Sequence, residues 1–277
     1  DIALFAGGSI SKDFAPHAVK AGAVVIDNSS AFRMDPEVPL VVPEVNPQAI
    51  LKHKGIIANP NCSTIIMVMA LKPIYDLAKI KRVIVSTYQA VSGAGKEGID
   101  ELDAQVREHS EGREMTANIL PSSSAEKHYP IAFNLIPQID VFCDNLYTKE
   151  EMKMVNETKK IMEDYEMRIT ATTIRVPVYR SHSESVNIEL EKEVDLGAMR
   201  EALAKFPGVT VQDDPSKQEY PMPLYTSEKD DVYVGRLRRD ESCEKSYNMW
   251  VVGDQIRKGA ALNTLQIAET MIKNGWI

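Results

Sequence analysis

The chain has 277 residues, 44% of them hydrophobic and 26% charged, the balance of a globular protein with one large domain or two ordinary ones. A net charge of −8 leaves no broad basic face, which excludes nucleic acid and anionic membrane surfaces as general partners. Apolar runs are too short to span a bilayer and no signal peptide is visible; Cys62, Cys143 and Cys243 form neither a CxxC pair nor zinc spacing, so a reducing, cytoplasmic compartment and no metal are expected.

The opening DIALFAGG already lies inside an apolar, strand-like run, as in a chain whose natural N-terminus is upstream. IALFA, AVVID and GIIAN are expected buried strands, with FAPHAVKAG a helix ending at Gly22. This βαβ rhythm predicts a parallel sheet. A helix is predicted from Ser63 to Ile80, kinked or cut at Pro73. RVIVSTYQAV (82–91) reads as a strand, and SGAGKEG leads into a helix from Gly98. Residues 109–129, with Gly, Pro and a triple Ser, read as a mobile loop.

From Thr148 to Tyr165 the sequence predicts a helix opened by a Thr148/Glu151 capping box, with Met154, Val155, Thr158, Ile161, Met162 and Tyr165 on its apolar face. Strands follow at 168–180 and 184–192, then a helix in DLGAMREALAKF and strands in DVYVGRLRR and YNMWVVGD. The last helix, GAALNTLQIAETMIKNG, stops at Gly275. The start and the last helix are α/β in style and the middle is α+β, which predicts two domains with the final helix packed back on the first.

The chemistry centres on NPNCST (59–64). Asn61 or Ser63 can cap the helix that follows, placing Cys62 in its first turn, where N–H groups and the positive dipole end favour an anion. A thiol, with an ordinary pKa of about 8.5, is expected to fall by roughly a unit or more there. His182, in RSHSES between two strands, has a pKa near 6.5 that would suit proton transfer. GAGKEG (93–98) matches G-x-G-x-x-G but sits in the α+β part, so SGAG is read as a tight turn that lets backbone approach a ligand.

Together, IDNSSAFRMD, VVPEVNP, ANPNCST, STYQAVSGAGKEG, IAFNLIPQID, YTKEEMKMVNETKKI, RVPVYRSHSESVNIE and DQIRKGAALNTLQIAE resemble the aspartate-semialdehyde dehydrogenase family, most like its Gram-positive branch. The resemblance implies an α/β fold: a Rossmann-like parallel-sheet dinucleotide-binding domain (1–61 and 255–277), incomplete at its N-terminus because the family's GxTGxVG turn lies upstream, and an α+β catalytic and dimerisation domain (62–254) like that of glyceraldehyde-3-phosphate dehydrogenase.

It also implies an NADPH-dependent reduction of aspartyl phosphate to aspartate semialdehyde by a homodimer. Cys62 resembles the thioester-forming nucleophile, His182 the acid/base and Gln89 the residue that orients the substrate, with Asn61 beside them. Arg175 resembles the grip on the α-carboxylate, Arg33 and Lys153 the phosphate-binding cations, and Glu150 the partner of the amino group. Ser92, Gly93 and Gln255 resemble cofactor contacts. Glu150 and Lys153, i and i+3 on one helix, can face a single pocket. The alternatives are N-acetyl-glutamyl-phosphate reductase, a non-catalytic dimerising module, and a cysteine hydrolase using Cys62 and His182.

Overall fold

The computed structural model describes residues 1–277, the side chain of Ser9 excepted. Its first sheet is parallel, in the order β1 (Ile2–Phe5), β2 (Val24–Asp27), β3 (Ile56–Ala58), with α1 (Ser11–Lys20) crossing between the first two. Short apolar strands joined by a helix pair this way because only a crossover returns the chain in the same direction. Gly22, at φ +89°, completes the turn out of α1, as the sequence predicts.

The second sheet has the order β5-β4-β6-β9-β8-β7. Its strands are β4 (Ile80–Gln89), β5 (Arg168–Arg175), β6 (His182–Leu190), β7 (Val209–Val211), β8 (Val232–Arg239) and β9 (Ser246–Gly253). β4 pairs parallel with β5 and β7 with β8, while the central pairings are antiparallel. Alternation along the strands sends Val83, Val85, Val186, Ile188, Met249 and Val251 to one face. Ile84, Tyr88, Ile174 and Trp250, partly exposed, lie on the other.

The inner face is covered by α2 (Cys62–Leu77), α4 (Lys149–Met162) and α5 (Leu196–Lys205). From Ile65 to Leu71 every side chain of α2 is fully buried, so this helix is enclosed on all sides. Each such Leu, Ile or Met contributes roughly 1.5–3 kcal/mol, which makes α2 a fixed axis on which the rest is aligned.

The expected last-helix packing is present: Ile267 and Met271 of α7 (Leu262–Asn274) share a core with Ile26, Val41, Ile50 and Ile57 beneath the parallel sheet. Gly275 takes the left-handed conformation that ends α7.

Several expectations need correction. Helix α2 runs through Pro73 and continues one more turn to Leu77, because a proline removes a single hydrogen bond from a helix otherwise held by its buried side chains. Ile80 belongs to β4, and α3 (Lys96–Ser110) starts two residues before Gly98. β6 begins at His182, and β5 ends at Arg175, short of Pro177. Tyr165 lies beyond the end of α4 and is 67% exposed. β7, α6 (Pro223–Thr226) and a π-helical turn at Arg257–Ala261 escape the sequence pattern. The 109–129 segment is irregular, as predicted, but it is pinned down. The carboxylate of Glu101 accepts the N–H groups of Asn118, Ile119 and Leu120, and Leu120 is fully buried.

Candidate active site

Asn61 is the N-cap of α2: its side-chain oxygen accepts the N–H of Thr64 at 3.1 Å, which leaves Cys62 as the first helical residue. The chain reaches it from the carboxyl end of β3. Asn28 and Ser30 follow the carboxyl end of β2, and the Gln89–Gly93 stretch follows β4. These ends converge on a cavity of about 400 Å³, lined among others by Arg33, Asn61, Cys62, Gln89, Ser92, Gly93, Glu150, Lys153, Arg175 and Gln255. Every residue picked out by the sequence except His182 therefore borders one cleft.

Two cations of this cleft, Lys153 and Arg33, are already ion-paired, whereas Arg175 is held by a backbone carbonyl. Lys153 donates to Glu150 at 3.1 Å and to Asp140 at 3.0 Å. Burial works against the ammonium, but these two carboxylates raise its pKa. Burial likewise works to raise Glu150, yet Lys153, the Asn61 amide and Arg175 hold it below the usual carboxylate range. Glu150 also accepts from Asn61 Nδ2 at 2.9 Å and Gln89 Nε2 at 3.3 Å, so one carboxylate ties the helix cap to the strand end. The capping box predicted for Thr148 and Glu151 is present, and Glu151 also accepts the N–H of Thr173.

The turn after β4 assembles the opposite wall. The N–H of Ala90 donates to Nδ1 of His182 at 3.0 Å, and the carbonyl of Ala90 accepts from Nη1 of Arg175 at 2.8 Å. His182 stands behind Gly93: a Cβ added there would lie 3.3 Å from His182 Nε2 and 2.7 Å from Arg175 Nη1. The glycine thus makes room for two side chains of the protein while its own backbone borders the cleft. Tyr179 lies beyond the end of β5 and donates to Asp103.

Two electrostatic expectations are overturned. Burial pushes the Cys62 thiol up to about 11, Glu150 adds to the rise, and Arg33, Arg175 and the Ser63 N–H recover only part of it. The helix end alone does not make a thiolate. Burial and then the positive charge of Arg175 lower the His182 pKa well below 6.5. The imidazole is therefore neutral at neutral pH, and because Nδ1 is an acceptor the proton sits on Nε2.

The third wall comes from the C-terminal segment. Gln255 accepts the N–H of Ser181 at 2.9 Å and donates to the Ser92 hydroxyl. In the π-helical turn, Gly259 packs on Cys62 so closely that a Cβ would come 3.0 Å from Cys62 Cβ. Lys258, fully buried, locks that turn through Glu44 at 2.6 Å, Asn263 at 3.0 Å and Gln266 at 2.6 Å. Sequence reasoning picked out Gln255 but missed Lys258 and Gly259, since nothing in RKGAALN distinguishes a π-turn from ordinary helix.

Residues 71–258 match the family described as semialdehyde dehydrogenase, dimerisation domain, and residues 1–53 match semialdehyde dehydrogenase, NAD binding domain. The aspartate-semialdehyde dehydrogenase of Aquifex aeolicus is 57% identical over 280 residues, covering 100% of this chain and 81% of that protein. The Bacillus subtilis enzyme of the same name is 54% identical, covering 99% and 80%. Aspartate semialdehyde dehydrogenase II of Vibrio cholerae superposes with a TM-score of 0.93 at 48% identity, over 98% of this chain and 79% of that one. A second Vibrio cholerae structure, described as complexed with ASA, has a TM-score of 0.92.

Proposed function

We propose, for a chain that belongs to the aspartate-semialdehyde dehydrogenase family, that Cys62 captures the acyl group of L-4-aspartyl phosphate as a thioester, which is then reduced to L-aspartate 4-semialdehyde with NADPH. The observation that carries this reading is the single cleft in which a thiol at a helix N-terminus lies with three cations brought in by three different segments, Arg33, Lys153 and Arg175. A substrate with a phosphate at one end and an α-carboxylate at the other needs more than one such cationic anchor.

Arg33 and Lys153 hold the phosphate and neutralise it as it departs. Arg175 takes the α-carboxylate through the guanidinium nitrogens left free by Ala90, and Glu150 takes the amino group. Gln89 orients the carbonyl beside the sulfur. The Cys62 thiol, held up at about 11 in the resting protein, gives its proton to the phosphate oxygen as that group departs. The sulfur bonds to the acyl carbon, the carbon–oxygen bond to phosphate breaks, and phosphate leaves with the electron pair. When the thioester has been reduced, Nε2–H of His182 steadies the oxyanion while the carbon–sulfur bond breaks and the thiolate is regenerated.

Bound NADPH would supply the hydride that takes the thioester carbon to the aldehyde level. The residues fit a dinucleotide: the cleft opens at the carboxyl ends of the parallel strands β2 and β3, where such cofactors bind, and Ser92, Gly93 and Gln255 border it. Residues 1–61 with 255–277 are assigned to cofactor binding, and 62–254 to catalysis and dimerisation. The outer face of the six-stranded sheet, with Tyr88 and Trp250 5.5 Å apart, is the surface for a second copy. The product would serve lysine, threonine and methionine synthesis in the cytoplasm.

The test is phosphate-dependent oxidation of aspartate semialdehyde with NADP, followed by mass spectrometry of the acylated protein. An adduct on the Cys62 peptide, lost in Cys62→Ala, is expected. Turnover of N-acetyl-glutamyl phosphate in place of aspartyl phosphate, or an adduct on Cys143 or Cys243, would overturn the assignment.

A further inference from the structure

Glu150 and Lys153 are the first half of a longer polar stripe on α4. Glu157 and Lys160 continue it at i+7 and i+10, on the same face of the helix. Both reach across to the segment that carries Arg33. Glu157 is fully buried; its Oε1 lies 3.3 Å from Arg33 Nη1, and its Oε2 accepts the backbone N–H of Asn61 at 2.6 Å. Lys160 donates to the carbonyls of Arg33, Asp35 and Val38 at 2.8, 2.7 and 2.8 Å.

Asn61 is therefore gripped twice by one helix. Glu157 holds its backbone and Glu150 holds its side chain. The next residue is the nucleophile. The other arm of Glu157 ends on the cation assigned to phosphate, whose second nitrogen, Nη2, donates to the carbonyl of Asn28 at 3.1 Å.

We infer that Glu157 is a positioning residue that ties the phosphate anchor Arg33 to the turn presenting Cys62, so that leaving group and nucleophile keep a fixed separation. Alone, an arginine beside a cleft can swing through several rotamers; a brace from a buried carboxylate removes that freedom before the ligand arrives. Lys160 does the same for the backbone of the Arg33 segment. Glu157 touches neither substrate nor cofactor.

The inference rests on Arg33 being the phosphate anchor, and the experiment separates the two. Phosphate affinity is measured by calorimetry, and by the protection phosphate gives Cys62 against alkylation. The proteins compared are wild type, Arg33→Ala, Glu157→Gln and the double variant. Glu157→Gln should weaken phosphate binding by about tenfold or more, and should add almost nothing in the Arg33→Ala background. Affinity for aspartate semialdehyde, the end held by Arg175, should move less than about twofold.

Unchanged phosphate affinity in Glu157→Gln, with Arg33→Ala weakened, overturns the role of Glu157. Unchanged affinity in Arg33→Ala overturns the assignment of Arg33 beneath it. A general loss of both affinities together with a lowered Tm would make Glu157 a structural brace only, and Glu157→Asp, which keeps the charge but not the reach, checks that outcome. It should restore Tm without restoring phosphate affinity.

Discussion

The backbone N–H of Ala90 ends on Nδ1 of His182, 3.0 Å away, and that one hydrogen bond decides what the histidine can do. A neutral imidazole carries a single proton, so acceptance at Nδ1 leaves Nε2 as the donor. The ring is arranged to give a hydrogen bond at Nε2, not to take a proton from the thiol. Nitrogen NMR at pH 7 should find His182 neutral and protonated on Nε2. An imidazolium, or an Nδ1–H tautomer, would sink the donor role. The linkage has a definite sign. The unfolded ring still binds a proton near pH 6.5 and the folded ring does not, so stability is full above about pH 6.5 and is lost as pH falls toward the depressed folded value. His182→Ala should lower kcat by about 10²–10⁴.

Cys62 should be a slow nucleophile until substrate binds. With its thiol at about 11, alkylation of the Cys62 peptide should climb by close to tenfold per pH unit from pH 7 to 10, without a plateau. Glu150 is the second cause of that rise, after burial, so Glu150→Gln should speed alkylation at pH 8 although it alters a group lining the cleft. A plateau below pH 8 in the wild type, or slower alkylation in the variant, would contradict this account of the thiol.

The helix that Cys62 opens, the capping box, the parallel start and the packing of α7 were all legible because each depends on local pattern: a cap, a period, a terminal glycine. The cleft was legible only through motif resemblance, since Arg33, Glu150 and Arg175 approach from three distant segments. What stayed hidden were consequences of burial. NPNCST signals a helix entrance, but nothing in it reveals that desolvation outweighs the helix end at Cys62. Glu157 and Lys160 look like an exposed charged face until α4 is seen against the Arg33 segment.

Glu184 is fully buried on β6, two residues from His182, opposite Thr87 on β4 and Val251 on β9. Neither carboxyl oxygen has a hydrogen-bond partner, and burial raises its pKa well above 4.5. The folded protein therefore keeps a proton there that the unfolded chain releases above about pH 4.5. Its stability contribution is full below that value and is lost as pH rises through the folded pKa. Glu184→Gln removes the dependence. The Tm of the variant relative to wild type should rise as pH climbs above about 4.5, until the folded carboxyl itself ionises, each unit in that window being worth about 1.4 kcal/mol. A difference that stays flat with pH would show that Glu184 is ionised in the fold.

Gly93→Ala tests whether the wall behind the cleft is as tight as its geometry implies. The backbone there lies outside the left-handed region, so alanine is tolerated conformationally and the fold should lose no more than about 1 kcal/mol. The new methyl, however, would stand 2.7 Å from Arg175 Nη1 and 3.2 Å from His182 Cε1. Neither group can step aside freely, because both are fastened to Ala90. The guanidinium, at the end of a flexible chain, must give first and lose its bond to the Ala90 carbonyl. The ring follows only if its Nδ1 bond also breaks. Because Arg175 is assigned to substrate binding and His182 to the oxyanion, KM should rise and kcat should fall together, by about tenfold or more in kcat/KM. Thermal unfolding should stay within a few degrees of wild type. Full activity in Gly93→Ala would mean that the turn has slack and that the glycine serves only the chain's path into α3.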